Sequence, residues 1–90
     1  MDQDQIRQPL EKLHSELASA NAAGEQPHEL LARLQAETEA LLARADQPPS
    51  ADHQSFRERL SQVLPEFEAS HPSLTAVMGE VIDTLSRMGL

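Results

Sequence analysis

The sequence predicts an all-α protein, a small bundle of three to four helices arranged as two helical hairpins. Apolar residues recur at intervals of three and four in four separate segments, which is the period of an amphipathic helix. No segment alternates apolar and polar residues with the period of a half-buried strand, and aromatic residues make up only 2% of the chain. Both features argue against a β-sheet.

The first predicted hairpin spans residues 4–45 and contains two helices. Its first helix covers residues 4–20, and Pro9 lies either in its early turns or at its start. Asn21 or Gly24 is expected to end that helix, and Pro27 begins the second. The expected buried faces are Ile6, Leu10, Leu13 and Leu17 on the first helix, and Leu30, Leu31, Leu34, Thr38, Leu41 and Leu42 on the second.

A linker at residues 46–53 separates this hairpin from a second one at residues 54–90. It contains Pro48 and Pro49 and no apolar anchor, but it is short enough for residues 1–90 to form one domain. The third helix begins near residue 51 or 52 and reaches residue 69, and Pro65 predicts a kink or break within it. Its apolar face consists of Phe56, Leu60, Val63, Leu64 and Phe67.

The fourth helix, residues 72–88, has the most regular apolar pattern. Its apolar residues fall within an arc of about 140° on a helical projection; they are Leu74, Val77, Met78, Val81, Ile82, Leu85 and Met88. His71 and Pro72 form the predicted corner before this helix, with Pro72 at its first position. Gly89 is a suitable terminator.

We predict that this fourth helix is an interaction and packing surface for a second copy or another protein. Leu, Ile, Val and Phe together make up only 20 of the 90 residues, so the core is thin and self-association would add buried area. Gly79 is informative because a glycine inside a helix costs about 1 kcal/mol relative to alanine. A small-residue flank there lets the third helix or another subunit approach closely. The predicted surface comprises Leu74, Val77, Met78, Gly79, Val81, Ile82 and Leu85.

The net charge of −8 argues against nucleic acid as a partner, because phosphate binding needs clustered Lys and Arg. The same charge supports an alternative function, an acidic adaptor or inhibitor that binds a basic protein. Disulfides and thiolate metal sites are excluded because the chain has no Cys. We expect a cytoplasmic protein without a membrane span, since the sequence shows neither a signal-peptide pattern nor a long apolar run.

A metal-binding bundle is a further, weaker alternative. Glutamate precedes histidine by three residues at Glu11 and His14, at Glu25 and His28, and at Glu68 and His71, a spacing that di-iron bundles use. The first pair faces largely away from the leucine stripe, and the other two lie at helix ends. The sequence shows no catalytic arrangement of Ser, His and Asp, no Gly-rich phosphate loop and no nucleotide-binding motif. The prediction is therefore a protein that is not an enzyme, with no cofactor, no metal and no small-molecule substrate.

Three runs of sequence resemble a known family. They are LEKLHSEL at residues 10–17, FEASHPSL at residues 67–74 and RMGL at residues 87–90. The chain resembles the short bacterial proteins grouped as domain of unknown function 4404. The resemblance covers most of the chain and is weakest around Pro48 and Pro49. It implies a small helical bacterial protein and no particular activity.

Overall fold

A computed structural model describes residues 4–23, 29–44 and 51–89 of the chain. They form four helices: α1 (Asp4–Ala23), α2 (Glu29–Ala43), α3 (Ala51–Phe67) and α4 (Pro72–Arg87). No strand occurs among these described residues. The predicted all-α class and small bundle are therefore confirmed.

The helices form an up-and-down bundle in which α1 and α4 are the central pair. α1 packs against both α2 and α4, and α3 packs against α4, whereas α2 and α3 touch each other at few points. The start of α1 lies beside the end of α4, so these two helices are antiparallel. Glu37 of α2 pairs with Arg59 of α3, and Arg44, the residue after α2, pairs with Asp52 in the first turn of α3. This is the order that antiparallel helices require. We call this thin α2–α3 contact the α2–α3 seam.

One apolar core runs through the bundle and draws on all four helices. Its buried members occupy the stripes that the three-to-four spacing predicts. They are Ile6, Leu10, Leu13, Leu17, Ala20, Leu31, Leu34, Leu41, Phe56, Leu60, Val63, Phe67, Leu74, Met78, Val81 and Leu85. Six further apolar side chains pack against the core while remaining partly exposed: Leu30, Leu42, Leu64, Val77, Ile82 and Met88.

The first helix is longer than predicted. It starts at Asp4 and includes Asn21, one of the two residues that the sequence suggested as its terminator, before ending at Ala23. Pro9 lies in the second turn and is buried, so the helix does not begin at that residue. Few N-terminal hydrogen bonds precede Pro9, which limits the cost of its missing N–H. Gly24 and Pro27 lie outside the described residues.

The third helix starts at Ala51, as the sequence suggested, and ends earlier than predicted. Residues 51–53 form its first turn, so this part of the predicted linker is helical. The rest of the linker that precedes residue 51 lies outside the described residues. Pro65 lies in the last turn, and α3 ends two residues later at Phe67, instead of continuing to residue 69. Proline has no backbone N–H and so removes one hydrogen bond of the helix. Because Pro65 lies in the last turn, few helical residues follow this missing bond.

Buried threonines in this core hydrogen-bond within their own helices. The Thr38 hydroxyl donates to the Leu34 carbonyl over 2.6 Å, and the Thr84 hydroxyl donates to the Glu80 carbonyl over 2.9 Å. The Thr75 hydroxyl similarly donates to the Pro72 carbonyl. These bonds satisfy the hydroxyls locally, so threonine can occupy an inward-facing position without a partner on another helix.

Candidate functional site

The predicted surface on α4 is divided between the core and the exterior. Leu74, Met78, Val81 and Leu85 are buried within the bundle, where they pack against the chain's own helices. Val77 and Ile82 are half-buried at its edges. The wide apolar arc thus has a central part used for folding and two edges that retain exposed area.

Gly79 lies on the outer side of α4 with open space above it. A Cβ atom built on this residue would meet no atom within 4 Å, apart from its sequence neighbours and the local backbone of α4. The predicted close approach of α3 at Gly79 is therefore wrong. Packing of the bundle therefore does not require glycine at this position, and glycine also lowers the stability of the helix relative to alanine.

Gly79 belongs to one side of α4 that also contains Ile82 and Ser86. On a helical projection these three residues fall within about 60° of one another, beside the core-facing arc. We call them the α4 flank. Asp83 and Arg87 lie next to it and pair with each other, with 2.7 Å between Oδ2 and Nη2. This local pairing leaves little net charge beside the flank.

The His71–Pro72 corner joins α3 to α4. Pro72 is the first residue of α4, and His71 is the preceding cap residue, but its side chain makes no capping hydrogen bond. Its imidazole instead lies against the Phe67 ring, with 5.9 Å between ring centroids and 58° between planes. The His71 amide donates to the Phe67 carbonyl over 2.7 Å, which holds the turn between the two helices.

The described residues do not gather the glutamate–histidine pairs into a metal centre. His14 Nε2 lies 2.9 Å from Glu39 Oε2 on α2 and so participates in an interhelical contact. Glu68 is exposed in the turn after α3, and Glu25 and His28 lie outside the described residues. No group of three or more potential His, Cys, Asp or Glu ligands occurs in the part of the chain that the structure describes.

The α2–α3 seam contains a cleft of about 330 Å³. Leu41 and Phe56 are buried core residues that line it, and charged side chains line its rim. Arg44 Nη2 lies 2.9 Å from Asp52 Oδ2 near one end, and Arg59 pairs with Glu37 farther along. The seam therefore combines limited helix contact with two ion pairs.

His53 is an inward-facing residue beside the seam that sequence reasoning missed. The sequence placed it in the linker, but it lies in the first turn of α3 and is only 2% exposed. Burial lowers the pKa of His53 below its ordinary value, and the positive charge of Arg44 lowers it further, while Asp52 opposes both effects. The available signal was spacing: His53 precedes Phe56 by three residues and Leu60 by seven, continuing the apolar face of α3.

The fold and the candidate surfaces define a small four-helix bundle with mixed apolar and charged edges. None of its described helices combines the length and apolarity needed to cross a membrane. The family described as Domain of unknown function (DUF4404) matches residues 6–90, and the chain belongs to this family. No curated protein and no solved structure matches the chain.

Proposed function

We propose that this protein is a non-enzymatic, cytoplasmic interaction module that binds a second copy of itself through the α4 flank. The observation that supports the proposal best is Gly79. Glycine destabilises a helix relative to alanine. The packing of the bundle does not explain why glycine stands here, because a Cβ atom at position 79 would meet no neighbouring atom. A second copy could approach this surface closely where a larger side chain would hold it away.

The rest of the α4 flank fits an interhelical contact. Ile82 is partly exposed and would bury additional apolar area against a partner, while exposed Ser86 extends the small-residue surface by another turn. Asp83 and Arg87 are paired locally, which limits repulsion between copies at this surface. This matters because the whole chain has a formal charge of −8.

Gly79→Leu is expected to weaken self-association at least about tenfold, because a leucine separates surfaces that glycine allows to meet closely. Light scattering across a dilution series measures the mass of the wild type and variant. Ala76→Leu is the matched control, since Ala76 is also a small residue of α4 but is fully on the exposed side and lies farther around the helix from Ile82. The same mass for wild type and Gly79→Leu at every concentration, or equal weakening by both substitutions, contradicts the proposal.

Gly79→Ala should stabilise the monomer by about 0.5–1 kcal/mol, since alanine has the higher helix propensity. The added Cβ has no neighbouring atom to displace. Urea unfolding at a concentration where both proteins are monomeric measures this change separately from association. A loss of monomer stability would contradict the open environment assigned to Gly79.

An acidic adaptor that binds a basic protein is the second candidate function. Exposed carboxylates on and just after α3 support it, because Glu58, Glu66 and Glu68 form no ion pair with another described residue. Raising salt from about 0.05 to 0.5 M would sharply weaken such a complex by screening exposed charges. Association that persists over this range favours apolar contact through the α4 flank.

A further inference from the structure

His53 places an ionisable side chain where α3 otherwise presents apolar groups. Its position continues the buried face formed by Phe56 and Leu60, and the residue is only 2% exposed. A neutral imidazole can occupy such a position, but an imidazolium loses much of its hydration there. Proton uptake therefore favours a conformation in which His53 reaches water.

The neighbouring α2–α3 seam provides a place for that movement. α2 and α3 have the least extensive contact of the adjacent helix pairs, and the cleft between them already has a volume of about 330 Å³. Glu37 Oε1 is buried within this region without a hydrogen-bond donor among the described residues. Opening the seam would let water hydrogen-bond to this oxygen. The free energy gained in this way offsets part of the free energy lost when the α2–α3 contacts separate.

The surrounding charges favour closure when His53 is neutral. Arg44, the residue after α2, disfavours a second positive charge nearby, while Asp52 on α3 attracts one but is itself paired with Arg44. The other helix packed against α3 is α4. Its charged residues are all exposed: Glu80, Asp83 and Arg87. Glu80 pairs with Lys12 of α1, and the other two pair together.

We propose that the α2–α3 seam is an acid-sensitive opening device controlled by His53. Proton uptake by its imidazole separates the end of α2 from the start of α3, and proton release closes them. In the open form His53 gains water and moves away from Arg44, so the positive charge is better tolerated. Leu41 and Phe56 become accessible at the same time, which couples acidity to exposure of the apolar cleft.

The direction of the pH effect follows from proton binding. The closed form holds His53 with a lowered pKa, whereas the open form approaches the ordinary value of 6.5. The open form therefore binds more protons as pH falls through about 6.5 and gains population. The closed form is most strongly favoured well above pH 6.5. Its population falls as the pH decreases below this value, until His53 is protonated in both forms.

Amide hydrogen exchange of the full chain tests the proposal. After correction for intrinsic exchange, the end of α2 and start of α3 should exchange several-fold faster at pH 5.5 than at 7.5, with a ceiling of about tenfold for one imidazole. His53→Leu should remove this acceleration, and His71→Gln should retain it as a control from the other end of α3. Acceleration that persists in His53→Leu, or that is equal throughout α1 and α4, would overturn the proposal.

A titration of the unaltered protein gives a second readout if His53→Leu does not fold. Histidine and backbone resonances can be followed together by nuclear magnetic resonance between about pH 8 and 5. The His53 ring and the amides at the seam should change with the same midpoint below 6.5. Titration of the ring without a matching change at the seam would overturn the opening mechanism.

Discussion

Leu85→Ala is expected to lower the free energy of unfolding by about 2–5 kcal/mol. Leu85 is 0% exposed and belongs to the core shared by the four helices. Its truncation removes buried apolar area and leaves a cavity that the surrounding helices fill only partly. For a protein of 90 residues, this loss is a large fraction of the roughly 5–13 kcal/mol of stability expected from size.

Ile82→Ala is the control for this prediction because Ile82 is also an aliphatic residue on α4. Its side chain is only half-buried, so its truncation should cost about 1 kcal/mol in the monomer. Urea unfolding followed by circular dichroism gives both values, measured under dilute conditions to separate folding from association. Equal losses for the two variants would show that the assigned orientation of α4 is wrong.

Phe56→Ala is expected to destabilise the protein by about 3–5 kcal/mol. Phe56 is 2% exposed and forms part of both the core and the wall of the seam cleft. Removing the ring would enlarge an existing cleft where α2 and α3 already make little contact. The end of α2 should therefore lose exchange protection more than the central α1–α4 pair.

Leu64→Ala supplies a comparison on the same helix, since Leu64 packs against the core but remains partly exposed. We expect a loss of about 1 kcal/mol for this variant. Chemical unfolding gives the global change for both proteins, and hydrogen exchange locates the change within the bundle. A Phe56→Ala effect no larger than that of Leu64→Ala would contradict burial of the Phe56 ring.

The fourth helix illustrates how much of the site was accessible to sequence reasoning. Its Pro72 start follows from proline's preference for the first helical turn, and Gly89 adopts a φ of +86° just beyond its end, where glycine is favoured. Periodicity also identifies Leu74 and Leu85 on one face. It does not show that the bundle itself buries them, because that depends on the positions of the other helices.

His53 and Gly79 show the opposite limit. His53 extends an apolar pattern, but a polar residue beside a proline-containing stretch resembles part of a linker by composition. Gly79 suggested a close approach by α3 or by a second subunit, and the open space around it contradicts the first of these alternatives. In both cases the local sequence pattern shows on which side of its helix the residue lies. It does not show which other parts of the chain lie next to that side.

The sequence by itself determined the all-α class, the four amphipathic segments and most inward-facing positions, because those properties depend on neighbours three or four residues apart. Only the tertiary structure decided that α1 and α4 form the central pair and that α2 and α3 meet at a thin seam. It also decided which part of α4 remains outside. These features depend on contacts between distant segments, where packing geometry determines which of several compatible apolar faces meet.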